Sequence, residues 1–289
     1  MLLNVTEYYR PDTLEEALQL LRRPGVKTVP LAGGTLLVGQ RDDSVQAVVD
    51  LKALGHNTIQ EQQGRIHLGA MVTLQQLVES QLAQEIADGI LAKAAKSSAA
   101  RLIRNAATVG GTLAAGPAAH ADLAVALAAL GAQVHLVGVA ERSVPVEEVF
   151  AQRQSDELLT EINFHRPAAH AAGAFLRVAR APDDVALVHV AALVQMEGGV
   201  CQRIHLAVGG VGMSPVRLDA AETVLYQQAP DETRIAAAVS AGLADFNPPP
   251  DFRASPEYRK EIAGVLARRA LQQCADAARW KQLMGNQGS

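Results

Sequence analysis

The chain has 289 residues, of which 49% are hydrophobic, 19% charged and 3% aromatic, and its formal net charge is −4. This composition is typical of a folded protein with two or three domains and argues against a disordered chain. No long basic run is present, so we expect no nucleic-acid binding, and the longest apolar run, residues 124–130, is too short for a transmembrane segment.

The expected compartment follows from the N-terminus and the cysteines. The first residues, MLLNVTEYYRPD, contain no basic region followed by a long apolar one, so no signal peptide is predicted. Cys201 and Cys274 form no CxxC motif, and two cysteines cannot ligate an iron–sulfur cluster or a Cys-rich zinc site. We therefore expect two reduced thiols in a cytoplasmic protein.

The predicted elements begin with a small unit of strands and one helix. Asp12 or Thr13 can cap this helix, and its apolar residues recur at helical spacing between Leu14 and Leu21. The first Gly-Gly pair, in the stretch LAGGT, directly follows the end of a predicted strand. The elements of the unit are a strand at 7–11, a helix at about 14–21, and strands at 27–31 and 45–51.

A longer mixed unit follows and contains the second Gly-Gly pair. Thr73 can cap a helix, and the run at 123–130 predicts a nearly apolar helix. Residues 151–157, AQRQSDE, form a polar interruption. The other predicted elements are strands at 65–70, 132–137 and 158–164, a helix at 86–95, and a turn or short helix at 146–150.

Beyond about residue 170, apolar and polar residues alternate, which predicts an antiparallel sheet. Its strands are predicted at 174–180, 186–197 and 203–210, and helices follow at about 218–226, 231–244 and 256–284. We therefore predict an α+β fold with a two-part N-terminal domain and a C-terminal domain of a three-stranded antiparallel sheet with helices. The predicted boundaries are 1–170, with subdomains at about 1–55 and 56–170, and 171–289.

The two Gly-Gly pairs, Gly33-Gly34 and Gly110-Gly111, suggest one extended ligand that is held from two sides. Glycine permits positive φ and removes the Cβ, so backbone N–H groups can approach an anion closely. A lone Gly-Gly turn is weak evidence, since such turns also join strands for geometric reasons. Two of them, each flanked by threonine hydroxyl groups, fit a diphosphate. Neither a GxGxxG nor a GxxxxGK[ST] motif is present.

Several side chains keep two interpretations. Asp122 can accept hydrogen bonds from a ribose hydroxyl group or cap the helix that follows it. His120 is either an exposed loop histidine or a contact to phosphate or ribose. His67 and His205 alternate with apolar residues in predicted strands and are expected to face solvent. The histidines show no metal-ligand spacing, and no Ser-His-Asp or GxSxG pattern stands out.

Taken in order, these stretches resemble the FAD-binding medium subunit of the molybdenum hydroxylases, the family of xanthine dehydrogenase and aerobic carbon monoxide dehydrogenase. The similarity runs over residues 5–275 and includes YYRPDTLEEALQLL, LAGGTLLV, IHLGAMVTL and RNAATVGGTLA. Further along, FLRVARAPDDVALVHVAA, LAVGGVGMSPVRLDAAETVL and FRASPEYRKEIAGVLARRAL are similar too. The chain departs from the family at Thr112, where Asn or Ser is common, and in the stretch AAGPAAHA at 114–121.

The resemblance implies an FAD whose diphosphate contacts both Gly-Gly segments, an acidic residue near a ribose, and further residues close to the flavin ring. The implied cofactor-binding residues are Ala32, Gly33, Gly34, Thr35, Leu36, Thr108, Gly110, Gly111, Thr112, Asp122, Leu159 and Arg177. No catalytic base is implied in this chain. The resemblance implies that 2Fe–2S clusters of a small subunit carry electrons to the FAD from a large molybdenum-cofactor subunit, in a dimer of heterotrimers. The FAD would pass the electrons to an external acceptor.

Two alternatives remain open. A free-standing FAD-dependent oxidase or dehydrogenase of the same two-loop FAD fold would need its own substrate pocket and a base near the flavin. A scaffold subunit without flavin would only assemble its partners, and the departures at 112–120 are the feature that motivates this alternative.

Overall fold

The computed structural model describes residues 4–115, 117–181, 184–210, 212 and 214–285, with the side chains of 117–121 and 285 left out. His120 therefore falls outside the described side chains. Within the described residues, the strands form three sheets, and helices pack around them. The predicted α+β class is confirmed. None of the helices in this part of the chain combines the length and apolar character that crossing a membrane requires.

The first sheet is small and parallel, with the strand order β1-β3-β2. Its helix begins after Thr13, whose side chain accepts a hydrogen bond from the backbone N–H of Glu16. This N-cap explains why the helix starts where the sequence predicted. The elements are β1 (Glu7–Tyr9), α1 (Leu14–Leu21), β2 (Thr28–Leu31), α2 (Leu37–Gln40) and β3 (Ala47–Asp50), followed by a 3-10 helix at Leu51–Leu54.

The second sheet is antiparallel, with five strands in the order β4-β5-β8-β6-β7. Its strands are β4 (Ile59–Gln62), β5 (Arg65–Gly69), β6 (Gln133–Val137), β7 (Glu141–Pro145) and β8 (Leu158–His165). Its helices are α3 (Leu74–Glu79), α4 (Gln81–Glu85), α5 (Ile90–Ser98), α6 (Arg101–Arg104), α7 (Val109–Ala114), α8 (Pro117–Ala129) and α9 (Val149–Gln152), with a 3-10 helix at Ile86–Gly89. Thr73 and Gln76 form a capping box at the start of α3.

The third sheet corrects one predicted detail, because it has four strands and not three. The three predicted strands are β9 (Ala172–Val178), β10 (Val188–Glu197) and β11 (Val200–Gly209). The additional strand, β12 (Val216–Arg217), pairs with the edge of β11 and is too short to show alternation in the sequence. The helices that follow are α10 (Asp219–Leu225), α11 (Glu232–Gly242) and α12 (Pro256–Gly285).

Helix α8 lies between the second and third sheets and joins the two halves of the molecule. Residues 123–130 are fully buried or nearly so, as expected for a helix that is apolar on all sides. Ala191 and Leu193 of β10 belong to the same core cluster as α8. The alternate residues of β10, including Val190 and Val194, pack in the cluster that contains α11 and α12. The third sheet is thus covered on both faces.

The predicted boundary at residue 170 falls between β8, which ends at His165, and β9, which begins at Ala172. Packing is continuous across this connection, because the core cluster of the second sheet includes residues of β10 and β11. The division into 1–170 and 171–289 therefore stays a prediction about folding units.

Candidate functional site

The first glycine loop, residues 32–36, connects the end of β2 to the start of α2. Gly34 has φ +70°, a conformation that residues with a Cβ rarely adopt. In the described part of the chain, no backbone or side-chain acceptor takes a hydrogen bond from the N–H groups of residues 33–36. Unbonded N–H groups that follow one another along a turn form a site for an anion.

The second glycine segment, residues 108–112, corrects the prediction of a tight turn. Gly110 and Gly111 lie inside helix α7 and have ordinary negative φ values. Thr108 is the N-cap, and its Oγ1 accepts a hydrogen bond from the N–H of Gly111 at 3.0 Å. The N–H of Gly110 donates to the carbonyl of Ala70 at 2.8 Å. These N–H groups are already engaged, so the unbonded donors of the site belong to the first loop.

The glycines of both segments allow close approach between parts of the chain. A Cβ on Gly33 would lie 1.9 Å from the carbonyl oxygen of Ala106, just before the second segment. A Cβ on Gly110 would lie 2.7 Å from the Cβ of Ala70. Only glycine fits at either place, and the two glycine segments are held side by side as a result.

A cavity of about 330 Å³ opens between the two glycine segments, which is within the usual range for ligand sites. We call it the first cavity. It brings together ten of the twelve predicted site residues, namely residues 32–36, Thr108, residues 110–112 and Leu159. Val29, Leu51 and Leu158 are among the apolar residues of its wall. Such a wall suits a planar organic group beside an anion site.

A second cavity, of about 310 Å³, lies next to the first. Four residues line both cavities: Ala32, Gly33, Met71 and Thr108. The two cavities are therefore adjacent at the glycine segments.

Asp122 and Arg177 lie apart from both cavities, in a buried cluster between α8 and the third sheet. Asp122 sits inside α8, so of the two interpretations left open for it, the N-cap is wrong. Its carboxylate accepts from Ser97 Oγ at 3.1 Å, lies 3.4 Å from Nε of Arg177, and forms a short hydrogen bond with Nδ1 of His189. The guanidinium of Arg177 also donates to the carbonyl of Ser97 at 3.1 Å. His189 was not predicted, because only the fold brings β10 against α8.

Arg153 is a second residue that the sequence did not single out, and it lines the first cavity. Within the described residues, its guanidinium donates long hydrogen bonds to the carbonyls of Gln154, Glu157 and Ala114, at 3.2, 3.3 and 3.5 Å. Burial lowers the pKa of the Arg153 guanidinium from its usual value. The signal in the sequence was weak: one arginine in the polar stretch before Leu158-Leu159.

Glu157 also lines the first cavity, but its charge is already compensated. Both of its carboxylate oxygens accept hydrogen bonds from Arg142, at 2.8 and 2.9 Å, and one also accepts from the N–H of Gln154 at 2.8 Å. The bond to Arg142 is the main reason that the pKa of Glu157 lies below its usual value. The carboxylate therefore stays ionised and engaged, and it adds little negative charge to the cavity.

Thr112 places a hydroxyl group in the lining of the first cavity. It is 4% exposed, and among the described residues its Oγ1 has no hydrogen-bond partner. A buried hydroxyl group without a partner is costly and uncommon in native proteins. Together with the unbonded N–H groups of residues 33–36, it supplies donors for an anionic group. The residues present therefore fit a dinucleotide cofactor such as FAD.

Comparisons with known proteins agree with this geometry. A family model described as the FAD binding domain in molybdopterin dehydrogenase matches residues 4–166, more than half of the chain. A second model, the CO dehydrogenase flavoprotein C-terminal domain, matches residues 173–274. The chain is 30% identical to the carbon monoxide dehydrogenase medium chain of Afipia carboxidovorans, over 94% of this chain and 98% of that protein.

Two further relatives extend the comparison. The chain is 30% identical to a putative xanthine dehydrogenase FAD-binding subunit of Escherichia coli K12, over 94% and 96% of the two chains. It is similar to a solved chain of carbon monoxide dehydrogenase from Hydrogenophaga pseudoflava, with a TM-score of 0.88 and 28% identity over 94% and 98% of the chains. The chain belongs to the FAD-binding family of the molybdopterin dehydrogenases and is an FAD-dependent oxidoreductase subunit of the molybdenum hydroxylase type.

Proposed function

We propose that the chain holds the diphosphate of FAD at the first glycine loop and that the rest of the cofactor occupies the two adjacent cavities. The observation that carries this proposal is that residues 33–36, whose N–H groups have no acceptor among the described residues, line a cavity with Thr112, whose hydroxyl group has no partner among them either. Asp122, Leu159 and Arg177 stay predicted contacts to the ribose and the ring.

The work of the chain is to bind and orient the cofactor. When bound, FAD supplies one-electron and two-electron redox chemistry that amino-acid side chains lack. The glycine segments fix the diphosphate, the apolar wall of the first cavity excludes water, and the third sheet covers α8 from the side of the C-terminal domain. Glu157, the carboxylate in the first cavity, is bound to Arg142. We therefore assign no proton transfer to this chain.

The chain works as one subunit of a larger complex. The relatives are named as a medium chain, an FAD-binding subunit and, in Paenarthrobacter nicotinovorans, subunit alpha of the 6-hydroxypseudooxynicotine dehydrogenase complex. We propose the finer assignment that the partners are a small 2Fe–2S subunit and a large molybdenum-cofactor subunit, in a dimer of heterotrimers. We also propose that the complex is cytoplasmic and that electrons leave the FAD for an external acceptor.

One experiment separates this function from its alternatives. The chain is purified alone and with co-expressed partner subunits, and the reduction of its flavin is followed at ~450 nm under anaerobic conditions, where oxidised flavins absorb. We expect the substrate of the complex to bleach the flavin only in the assembled complex. Bleaching of the isolated chain by small substrates would favour a free-standing dehydrogenase. A colourless protein in both preparations would leave only the scaffold alternative.

A further inference from the structure

We propose that Arg153 provides the positive charge that binds the FAD diphosphate in the first cavity. This inference rests on the proposed function and adds a residue that neither of the two glycine segments contains. Arg153 reaches the cavity from the loop that precedes β8, and it donates a hydrogen bond to the carbonyl of Ala114, two residues beyond the second glycine segment.

Arg153 brings a positive charge to the first cavity. Its guanidinium is partly buried and contacts three backbone carbonyls at 3.2 to 3.5 Å. In the described part of the chain no carboxylate oxygen lies within salt-bridge distance of it; the Glu157 carboxylate attracts it from farther away, but that carboxylate is bound bidentately by Arg142. A partly buried cation that only shares a distant carboxylate gains from an anion that binds directly beside it.

The groups around Arg153 in the first cavity are mainly hydrogen-bond donors. The unbonded N–H groups of residues 33–36, the Oγ1 of Thr112 and the guanidinium of Arg153 line the same cavity. All of them can donate hydrogen bonds, and the ionised acceptor in this lining, Glu157, is already saturated by Arg142 and Gln154. Donors in excess of acceptors select an anion, and a guanidinium binds phosphate oxygens with two parallel hydrogen bonds.

The two possible roles of Arg153 differ in their effect on the stability of the cofactor-free protein. If the role of Arg153 is to bind an anion, removing its charge lowers the stability of the cofactor-free protein little and can even raise it. If Arg153 instead holds the loop in place through its carbonyl contacts, the same change destabilises the cofactor-free protein. The two roles therefore predict opposite results for stability, and they can be separated in one set of variants.

The test compares Arg153→Gln, Arg153→Lys and the wild-type chain, with Arg269→Gln on the exposed face of α12 as the matched control. FAD is titrated into each cofactor-free protein at several salt concentrations, and urea unfolding is measured without FAD. For Arg153→Gln we expect the Kd of FAD to rise by about 10- to 100-fold, as for the loss of a charged hydrogen bond. We also expect a weaker dependence of the Kd on salt, unchanged or higher stability, and partial rescue in Arg153→Lys.

Other outcomes would overturn the inference. An unchanged Kd in Arg153→Gln would show that Arg153 does not face the diphosphate. A raised Kd with an unchanged salt dependence and a less stable cofactor-free protein would show that Arg153 only supports the loop. Failure of the wild-type chain to bind FAD would contradict the proposed function itself and would be seen before any variant is compared.

Discussion

Gly33 and Gly34 are adjacent residues that need glycine for different physical reasons. Gly34 has φ +70°, whereas a Cβ on Gly33 would collide with the backbone at Ala106. The sequence identified both positions, but it explained them by the approach of a phosphate. Close contact between chain segments, at Gly33 and again at Gly110, is a property of the fold, and a single sequence does not show which backbone lies opposite.

Arg153 and His189 show the limit of prediction at the level of single residues. Arg153 contacts Ala114, and His189 binds Asp122, which lie 39 and 67 positions away in the chain. Neither residue belongs to a motif. Their roles depend on contacts that only the folded chain creates, so the sequence carries a weak signal for Arg153, its place in a polar stretch, and none for His189.

Gly111→Asp tests the second glycine segment. A Cβ at this position would lie 2.8 Å from Oγ1 of Thr108 and 3.6 Å from the Cβ of Ala32, which belongs to the first loop. The added carboxylate would therefore stand beside the donors that we assign to the diphosphate and repel it. We expect FAD to be lost while the fold is kept, as measured by flavin content and by circular dichroism.

Gly39→Asp is the matched control for this variant. Gly39 lies in α2, and no heavy atom lies within 4 Å of a Cβ built there. The control should keep its flavin. Normal flavin content in Gly111→Asp as well would mean that the diphosphate does not lie at this segment.

At the level of elements, helices with side-chain caps were predicted well. Thr13 and Thr73 cap α1 and α3 as expected, because an N-cap is a local signal that depends only on nearby residues. The edge strands β4 and β7 were missed, since they are mostly polar and show no apolar alternation. Edge strands form because a neighbouring strand offers hydrogen bonds, and their own sequence need not show it.

The helix predicted at 86–95 differs clearly from what the structure shows. It is split into a 3-10 helix at Ile86–Gly89 and α5, because Ala87 and Asp88 have positive φ values of 45° and 56°. The carboxylate of Asp88 accepts from the N–H of Gly173 at 3.2 Å and pairs with Lys281 at 2.7 Å. Contacts with β9 and α12 accompany the break, and neither is visible in the local sequence.

Asp122→Ala tests the attachment of α8 to the third sheet. The substitution leaves Arg177 and His189 without their shared carboxylate in a buried place. Breaking a buried ion pair from one side typically costs about 3–5 kcal/mol. We expect the free energy of unfolding of the cofactor-free chain, measured in urea, to fall by about this amount.

Asp156→Ala provides the comparison on the protein surface. Asp156 pairs with Arg22 at 3.1 Å, and both side chains are 33% exposed. An exposed pair of this kind contributes less than about 1 kcal/mol. Equal losses in the two variants would show that the buried Asp122 cluster stabilises the chain no more than an exposed ion pair does.

At the level of the whole molecule, the two halves share a core around α8, and His205 marks one edge of this contact. The sequence predicted that His205 faces solvent. Its Nδ1 instead donates to the carbonyl of Ala129, the last residue of α8, at 2.9 Å. Burial, together with Arg217 and Arg203, lowers the pKa of His205 from 6.5 to about 4.

This shift predicts how stability depends on pH. The folded chain keeps His205 neutral, so between pH 6.5 and about 4 the unfolded chain binds more protons at this site. The contribution of neutral His205 to the free energy of unfolding is complete above pH 6.5. It is lost as the pH falls through this range, by up to about 3 kcal/mol. We expect urea unfolding at pH 7 and pH 5 to differ less in His205→Gln than in the wild-type chain. An equal difference in the two proteins would show that His205 is not the group responsible.

Binding of FAD by this chain can be measured as the flavin content of the purified protein. The cofactor released by denaturation is identified by chromatography, and its absorbance is compared with the protein concentration. We expect close to one non-covalently bound FAD per chain, present after purification or restored by adding FAD to the cofactor-free protein. A folded chain that carries no flavin and binds none from solution would contradict it.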